Sequence, residues 1–319
     1  MAYVGESANV RSRINSHLEN EKRAQLNQIT IIGSDRFNKS ATLDIEARLI
    51  QYLSGESYYK LQNANGGLQY HNYYQRSLYS GLFREIWEKL RKEDLVKHSI
   101  EDIENSDIFK YSPYKALSSD QRESITEILQ SLADQKGFPV FVSGGAGTGK
   151  TILATYLMKA LASGLPDADE VEDFSESSLS EYQMLKRLKA VNPSPRIGLV
   201  VPMASLRKTL KNVFKEISGL KPSMVIGPSD VFKQYYDIVL VDEAHRLMRR
   251  KNITAYKPFD QNNRSLGLGN EGTQLDWILR QTGQQVFFYD PGQSVKPSDI
   301  PRERFAELMA DRPMIHLKS

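Results

Sequence analysis

An α/β fold built on a parallel sheet is predicted by two features of this 319-residue sequence. The first is a set of four nearly continuous apolar runs, FPVFVSG, RIGLVVPM, DIVLVDE and QQVFFYD, separated by segments of helical periodicity. Strands buried on both faces read this way, and helices between them supply the crossovers that parallel pairing needs. The second is a glycine-rich run, GGAGTGKT, directly after the first apolar run and directly before ILATYLMKAL, which reads as a helix. Strand, Gly-xxxx-Gly-Lys-Thr and helix, in that order, form the context of a phosphate-binding P-loop.

Taken in order, these elements assemble a nucleotide site. Upstream of the first strand, Ser119 and Asp120 read as an N-cap, and Ile125, Ile128, Leu129 and Leu132 recur at helical spacing. In the loop, Gly144, Gly145, Ala146, Gly147, Thr148 and Gly149 let consecutive N–H groups curl around a phosphate, aided by the positive end of the helix that follows. Lys150 would reach the β- and γ-phosphates of a nucleoside triphosphate, taken as ATP, and the Thr151 hydroxyl would ligate Mg²⁺. DIVLVDEAH ends a strand in two carboxylates. An acidic pair after a strand is commonplace, but behind a P-loop Asp242 becomes the Mg²⁺ partner and Glu243 the group that polarises the attacking water.

Composition narrows the class. Charged residues make up 25% and hydrophobic ones 40%, as in an ordinary globular protein. A net charge of +3 permits nucleic acid binding without arguing for it. The absence of cysteine excludes disulfides and thiolate metal sites. No apolar run is long enough to span a membrane and no signal-peptide pattern opens the chain, so a cytoplasmic location is expected. The acidic stretch LPDADEVEDFSESSLSEYQ reads as a solvated insertion.

From about residue 115 to 319 the order of segments resembles the first RecA-like lobe of superfamily 1 helicases, and DEAHRL with FFYDPGQSVKPSDI is similar to Schlafen-like DNA/RNA helicase-type ATPase domains. The resemblance implies that Gln121 reads adenine, that VVPMASLRKTLKNVF contacts a nucleic acid strand, and that Gln293 senses the γ-phosphate beside Asp290. In the strand-contacting segment, Leu206, Leu210, Val213, Phe214 and Ile217 fall on one helical stripe, while Arg207, Lys211 and Lys215 fall on another. That basic ridge is open to two readings, phosphate contact or a solvated face, and so is the cluster Arg246, Arg249, Arg250 and Lys251. Superfamily 1 helicases add a second RecA-like lobe with an arginine finger, and none of Arg302, Arg304 and Arg312 sits in such a motif. The chain is therefore expected to be a fragment that binds ATP, hydrolyses it poorly and does not unwind a duplex alone.

YVGESANVRSRINSHL, at the start of the chain, resembles the second half of the GIY-YIG endonuclease motif, with Tyr3 and Arg13 at the family's spacing. On a helix Val10, Ile14 and Leu18 form an apolar stripe, with Arg13 and His17 stacked at its edge. In ATLDIEARLIQYL, Glu46 falls near the middle of an apolar arc of Leu43, Ala47, Leu49, Ile50 and Leu53, while Asp44, Arg48 and Gln51 fall outside it. A carboxylate facing a core wants Mg²⁺ or an arginine; the alternative is a partly exposed glutamate. The resemblance implies one-metal phosphodiester hydrolysis, with Glu46 as the metal ligand, Arg13 stabilising the phosphorane, Tyr3 helping to activate water and Asn63 as the downstream asparagine. Only Met1 and Ala2 precede Tyr3, so the family's first strand is expected to be missing.

The expected organisation is an α+β GIY-YIG-like domain over 1–95, a linker over 96–118 and an α/β RecA-like P-loop lobe over 119–319. The expected protein is an ATP- and Mg²⁺-dependent enzyme acting on nucleic acid, DNA ahead of RNA. Two alternatives remain open: a nucleotide-driven switch with a degenerate nuclease fold, and an ATPase that serves signalling.

Overall fold

A computed structural model of the chain describes residues 1–19, 25–63, 76–115, 117–134, 137–165, 176–293, 296–310 and 314–317. Most of the acidic stretch and Arg312 lie outside these residues. Six parallel strands form one sheet: β1 (Val140–Ser143), β2 (Ile197–Val200), β3 (Val225–Ile226), β4 (Tyr236–Val241), β5 (Thr282–Tyr289) and β6 (Met314–His316). Their order across the sheet is β3-β2-β4-β5-β1-β6. The α/β class and the parallel sheet are as the apolar runs predict. The two-residue β3 is too short to leave a periodic signal.

Alternation along each strand builds a core on each face of the sheet. Val140, Val142, Leu199, Leu240, Val286 and Phe288 face one cluster. Phe141, Val200, Val239, Val241 and Phe287 face the other, with Phe141 and Phe287 stacked at 5.3 Å between neighbouring strands. The first face is covered by α6 (Ser119–Ala133), α7 (Lys150–Ala162), α8 (Glu176–Val191) and α9 (Ala204–Glu216). The second is covered by α10 (Tyr256–Ser265), α11 (Gln274–Gln281) and α12 (Arg302–Met309). At about 1.5–3 kcal/mol for each large apolar side chain removed from water, this double burial fixes the strand ends that carry the site. The cap of α6 is Ser118 rather than Ser119: its hydroxyl accepts the Gln121 N–H while Gln121 Oε1 accepts the Ser118 N–H.

The N-terminal part holds α1 (Val10–Glu19), α2 (Lys39–Glu56) and α3 (Arg76–Lys92). The segment 96–118, expected as a linker, carries α4 (Ile100–Asn105) and α5 (Asp107–Lys110), and its Ser112, Tyr114 and Leu117 are buried. Ile50 of α2 and Leu61 belong to the same core as the P-loop helix α7. The apolar arc assigned to α2 also shifts. Ala41, Ile45, Leu49, Ile50 and Tyr52 are buried, Leu43, Ala47 and Leu53 are only partly so, and Asp44 is buried rather than outside. Asp44 tolerates this because the Arg48 Nε donates to it at 2.8 Å, one turn along. Among the described residues no helix is long and apolar enough to cross a membrane.

One core residue sets a stability trend. Lys159 of α7 is 4% exposed, donates to Ser218 O at 2.9 Å, and burial lowers its pKa to about 8. Its charge thus destabilises the folded chain below pH 8, and that cost is relieved as pH rises towards the unfolded value of 10.5. Lys159→Met should raise stability by roughly 2–3 kcal/mol at pH 7, since each tenfold loss of proton affinity on folding is worth about 1.4 kcal/mol. Chemical denaturation across pH should show the gap closing by pH 10.5; a gap that ignores pH would mean that the gain comes from packing.

Candidate functional site

The P-loop leaves the carboxyl end of β1 and is fastened to the neighbouring strand, its Gly144 N–H donating to Tyr289 O at 3.1 Å. Gly147 (φ 80°) and Gly149 (φ 85°) take left-handed conformations that other residues reach only at a cost. Ala146 lies exposed at the tip. Thr148 is buried and braces the turn from within, its hydroxyl donating to Gly145 O at 3.0 Å. Gln121 reaches in from α6 and donates from Nε2 to Thr148 O at 3.1 Å. A Cβ at Gly149 would sit 2.5 Å from that Nε2, so glycine there is also what admits Gln121. Lys150 is 6% exposed, and its Nζ donates to Gly144 O at 2.8 Å and Gly145 O at 2.7 Å, with Asp290 Oδ2 at 3.4 Å.

Sheet order explains how residues far apart in sequence meet. β5 lies between the P-loop strand β1 and the acidic strand β4. Asp290, the first residue past β5, therefore emerges between Lys150 and Asp242. Asp290 Oδ1 accepts the Gly292 N–H at 2.9 Å and its Oδ2 accepts Gln293 Nε2 at 2.7 Å. Burial alone would raise its pKa, but the Gly292 N–H, Lys150 and Gln293 together hold it below the ordinary carboxylate value.

At the end of β4, Asp242 is fully buried; its Oδ2 accepts the Thr151 hydroxyl at 2.8 Å and its Oδ1 the Glu243 N–H at 3.0 Å. Burial, reinforced by the neighbouring Glu243 charge, lifts its pKa to about 6 against the pull of Thr151. Glu243 is left-handed at φ 51°, strain of about 1–3 kcal/mol held at the end of the acidic strand. Its Oε2 lies 2.9 Å from His245 Nε2, and that imidazole holds Glu243 below the ordinary glutamate value. His245 is fully buried and its Nδ1 accepts the Asp290 N–H at 3.4 Å. Glu243, His245 and Asp290 thus lie in sequence, the first two at ion-pair distance and the last two joined through the Asp290 N–H, beside Lys150 and Gln293. Nothing in the sequence singles out His245, because its role depends on the left-handed turn at Glu243.

The basic residues sort differently from expectation. The buried stripe of α9 holds Leu210, Val213 and Phe214, but Arg207 turns inward and donates to Val201 O at 2.6 Å and Pro202 O at 3.3 Å. The exposed cations of α9 are Lys208, Lys211 and Lys215. Arg246 lies 3.6 Å from Asp299, Arg249 donates to Pro297 O at 3.1 Å, and Arg250 pairs with Asp260. Arg246 and Arg249 thus tie the loop after β4 to the loop after β5, and Arg250 ties it to α10, a structural use that an unpaired basic surface would not show. Arg304 is engaged by Asp276 and Glu307, while Arg302 is exposed.

In the N-terminal part, Ala2 bridges Leu61 in parallel, and Asn63 brackets the next residues. Its Nδ2 donates to Val4 O at 2.7 Å and its Oδ1 accepts the Val4 N–H at 3.0 Å. Asn63 therefore serves as a strand mimic that holds the segment behind Tyr3. The Glu6 carboxylate accepts from Lys39 and, at 3.0 Å, from the Thr42 hydroxyl. Glu46 follows Thr42 by one turn, so the stripe of α2 bearing it is the stripe turned towards Glu6. Glu46 and Arg13 are both half-buried; the side chain of His17 lies outside the described residues.

The P-loop residues fit a triphosphate with Mg²⁺. A Cβ at Gly145 or Gly147 would meet nothing within 4 Å, so open space lies against the loop at these positions. Asp242 is desolvated, takes its side-chain hydrogen bond from the Thr151 hydroxyl, and feels the Lys150 charge too weakly to offset burial, so it is costly as an anion until a cation joins it. Among the described residues no three His, Asp or Glu side chains gather as a metal cluster. A cation here would take few protein oxygens, as suits Mg²⁺ with its retained waters.

Comparison with known proteins agrees with this geometry. Residues 139–318 match the family model described as Schlafen group 3, DNA/RNA helicase domain. The ATP-dependent DNA helicase RecG of Borreliella burgdorferi is 28% identical over 174 residues, which cover 52% of this chain and 23% of that protein. The chain thus spans less than a quarter of that relative. With more than half its length matched, it belongs to the family of Schlafen group 3 DNA/RNA helicase domains.

Proposed function

We propose that this chain binds ATP with Mg²⁺, hydrolyses it in response to nucleic acid, and joins that ATPase lobe to a phosphodiester-cleaving N-terminal module. The observation that carries the ATPase reading is the convergence of Lys150, the Thr151–Asp242 pair and Glu243 at the carboxyl ends of β1 and β4, the two strands that flank β5. Ligands of open α/β sheets bind at those ends. Mg²⁺ there would draw charge off the β- and γ-phosphates and hold them for in-line attack. Lys150 would exchange its two loop carbonyls for phosphate oxygens, Gln121 would report the base, and Gln293 would report the γ-phosphate from its hold on Asp290. Glu243, kept anionic by His245, would orient and polarise the attacking water.

Lys150→Ala should weaken nucleotide binding ~30- to ~5000-fold, the ~2–5 kcal/mol of a truncated charged hydrogen-bond partner. Calorimetric titration measures this, and unchanged affinity would remove the P-loop assignment. The nucleic acid reading rests on the family and on the exposed Lys208, Lys211 and Lys215 of α9. DNA is favoured because the RecG relative is a DNA helicase. An ATPase rate raised by neither DNA nor RNA would instead support the signalling alternative.

For the N-terminal module we infer a GIY-YIG-type site: Glu46 holding Mg²⁺, Arg13 meeting the phosphorane, and Tyr3 and His17 serving the attacking water. Support comes from the hold of Asn63 on Val4 and from the Thr42–Glu6 bond, which turns the Glu46 stripe towards the YVGES segment. Glu46→Ala should remove Mg²⁺-dependent nicking of plasmid DNA and the Mg²⁺-dependent rise in melting temperature contributed by this module. A loss of ~3–5 kcal/mol regardless of metal would make Glu46 half of a buried ion pair instead.

A further inference from the structure

The segment Asp107–Lys115 touches both parts of the molecule. On one side Phe109 packs in the N-terminal core, its ring 4.9 Å from Tyr52 of α2. Ser112, fully buried, lies 3.0 Å from Ser54 of α2. The Ser54 hydroxyl already donates to Gln51 O at 2.6 Å, so Ser112 is the donor of that pair. On the other side Ile108, Tyr111 and Tyr114 join the core that surrounds α7.

Tyr114 is the central contact. It is 1% exposed, Lys159 of α7 sits 5.7 Å from its ring centroid, and its hydroxyl donates to Asn63 O at 3.4 Å. Asn63 in turn grips both backbone groups of Val4. A continuous route therefore runs from α7 through Tyr114 and Asn63 to Val4, the neighbour of Tyr3. The opposite end of α7 begins with Lys150 and Thr151.

We propose that Tyr114 couples the two sites, so that nucleotide held at the start of α7 orders the Tyr3–Glu6 segment through Asn63. The proposal rests on the nucleotide reading above. Its physical basis is that α7 is buried along most of its length. A ligand fixing one end of such a helix reduces its motion, and whatever packs on the other end shares the ordering without any need for displacement. Linkage makes the effect reciprocal: a phosphodiester that orders the N-terminal segment tightens nucleotide binding by the same factor. The same connecting segment also addresses the acidic end of the nucleotide site. The Tyr111 phenol, raised first by burial and then by Asp107, lies within the field of Asp242 and Glu243.

Amide hydrogen exchange of the full chain, with and without a non-hydrolysable ATP analogue and Mg²⁺, tests this. In the wild type the analogue should slow exchange in α7 and, by ~5-fold or more, in peptides covering 1–8 and 58–63, the lower end of usual coupling. Tyr114→Phe keeps the ring and its packing, so α7 should remain protected while the effect on 1–8 and 58–63 disappears. Lys150→Ala should abolish both. Protection of α7 without any change at 1–8 and 58–63 in the wild type overturns the coupling, as does a change that survives in Tyr114→Phe. No protection of α7 in the wild type would sink the nucleotide reading itself, and the coupling with it. Because exchange does not require cleavage, an inactive nuclease site would leave the result intact.

Discussion

Glu243→Gln should lower ATP turnover ~10²- to ~10⁴-fold, the range for a positioned general base, while ATP affinity stays within about threefold of the wild type. The separation follows from where the groups sit. Binding draws on Lys150, the loop N–H groups and the Thr151–Asp242 pair, none of which requires the Glu243 carboxylate. Turnover requires that carboxylate to be anionic and aimed, and its left-handed backbone and the nearby His245 Nε2 provide both. Glutamine keeps the shape and the neighbour but cannot polarise water. Steady-state rates with calorimetric affinities check the outcome, and a variant that loses binding and turnover together would make Glu243 a structural residue.

How much of this is legible in the sequence depends on how far each contact reaches along the chain. The P-loop is readable because phosphate binding needs its glycines, Lys150 and Thr151 within a few consecutive residues, between a strand and a helix. The acidic pair is readable for the same reason once the P-loop is in place. The meeting of Asp290 with Lys150, 140 residues away, is not, since it depends on β5 entering the sheet between β1 and β4. His245 is hidden because its position follows from the backbone twist at Glu243. Arg207 has the spacing of an outward ridge, yet the carbonyls at the end of β2 draw it inward.

The N-terminal part is harder to read because α2 serves two cores. Ile45, Leu49 and Tyr52 face the cluster with Phe83 and Trp87, while Ile50 faces the cluster around α7. A single apolar arc cannot describe such a helix, which is why periodicity sets Asp44 outside the arc while the fold buries it with Arg48 as its partner. The stretch 96–118 is too charged to suggest a core contact, but its charges lie at helix ends and surfaces, while Phe109, Ser112 and Tyr114 point inward.

Asp242→Asn should separate stability from function most sharply. Burial lifts the Asp242 pKa from 3.8 to about 6, so the folded chain binds a proton more tightly than the unfolded chain between those values. Stability from this group is fully present below pH 3.8 and is lost as pH rises through about 6. Above that, the ionised carboxylate costs up to about 3 kcal/mol when no cation stands beside it. Asparagine removes the cost without disturbing the local bonds: Oδ1 still accepts the Glu243 N–H, and Nδ2 donates to a Thr151 hydroxyl that rotates to accept. In metal-free buffer at pH 7–8 the variant should therefore be more stable than the wild type, with the difference shrinking to nothing near pH 4. With Mg²⁺ and ATP the order should reverse, because the wild type gains the binding free energy of the complex and the variant has lost the carboxylate that holds the cation. Denaturant titrations at several pH values, repeated with Mg²⁺ and ATP, measure both halves. A variant less stable than the wild type at neutral pH without metal would show that Asp242 is held by a compensating charge, and that the carboxylate is part of the fold rather than a site kept for Mg²⁺.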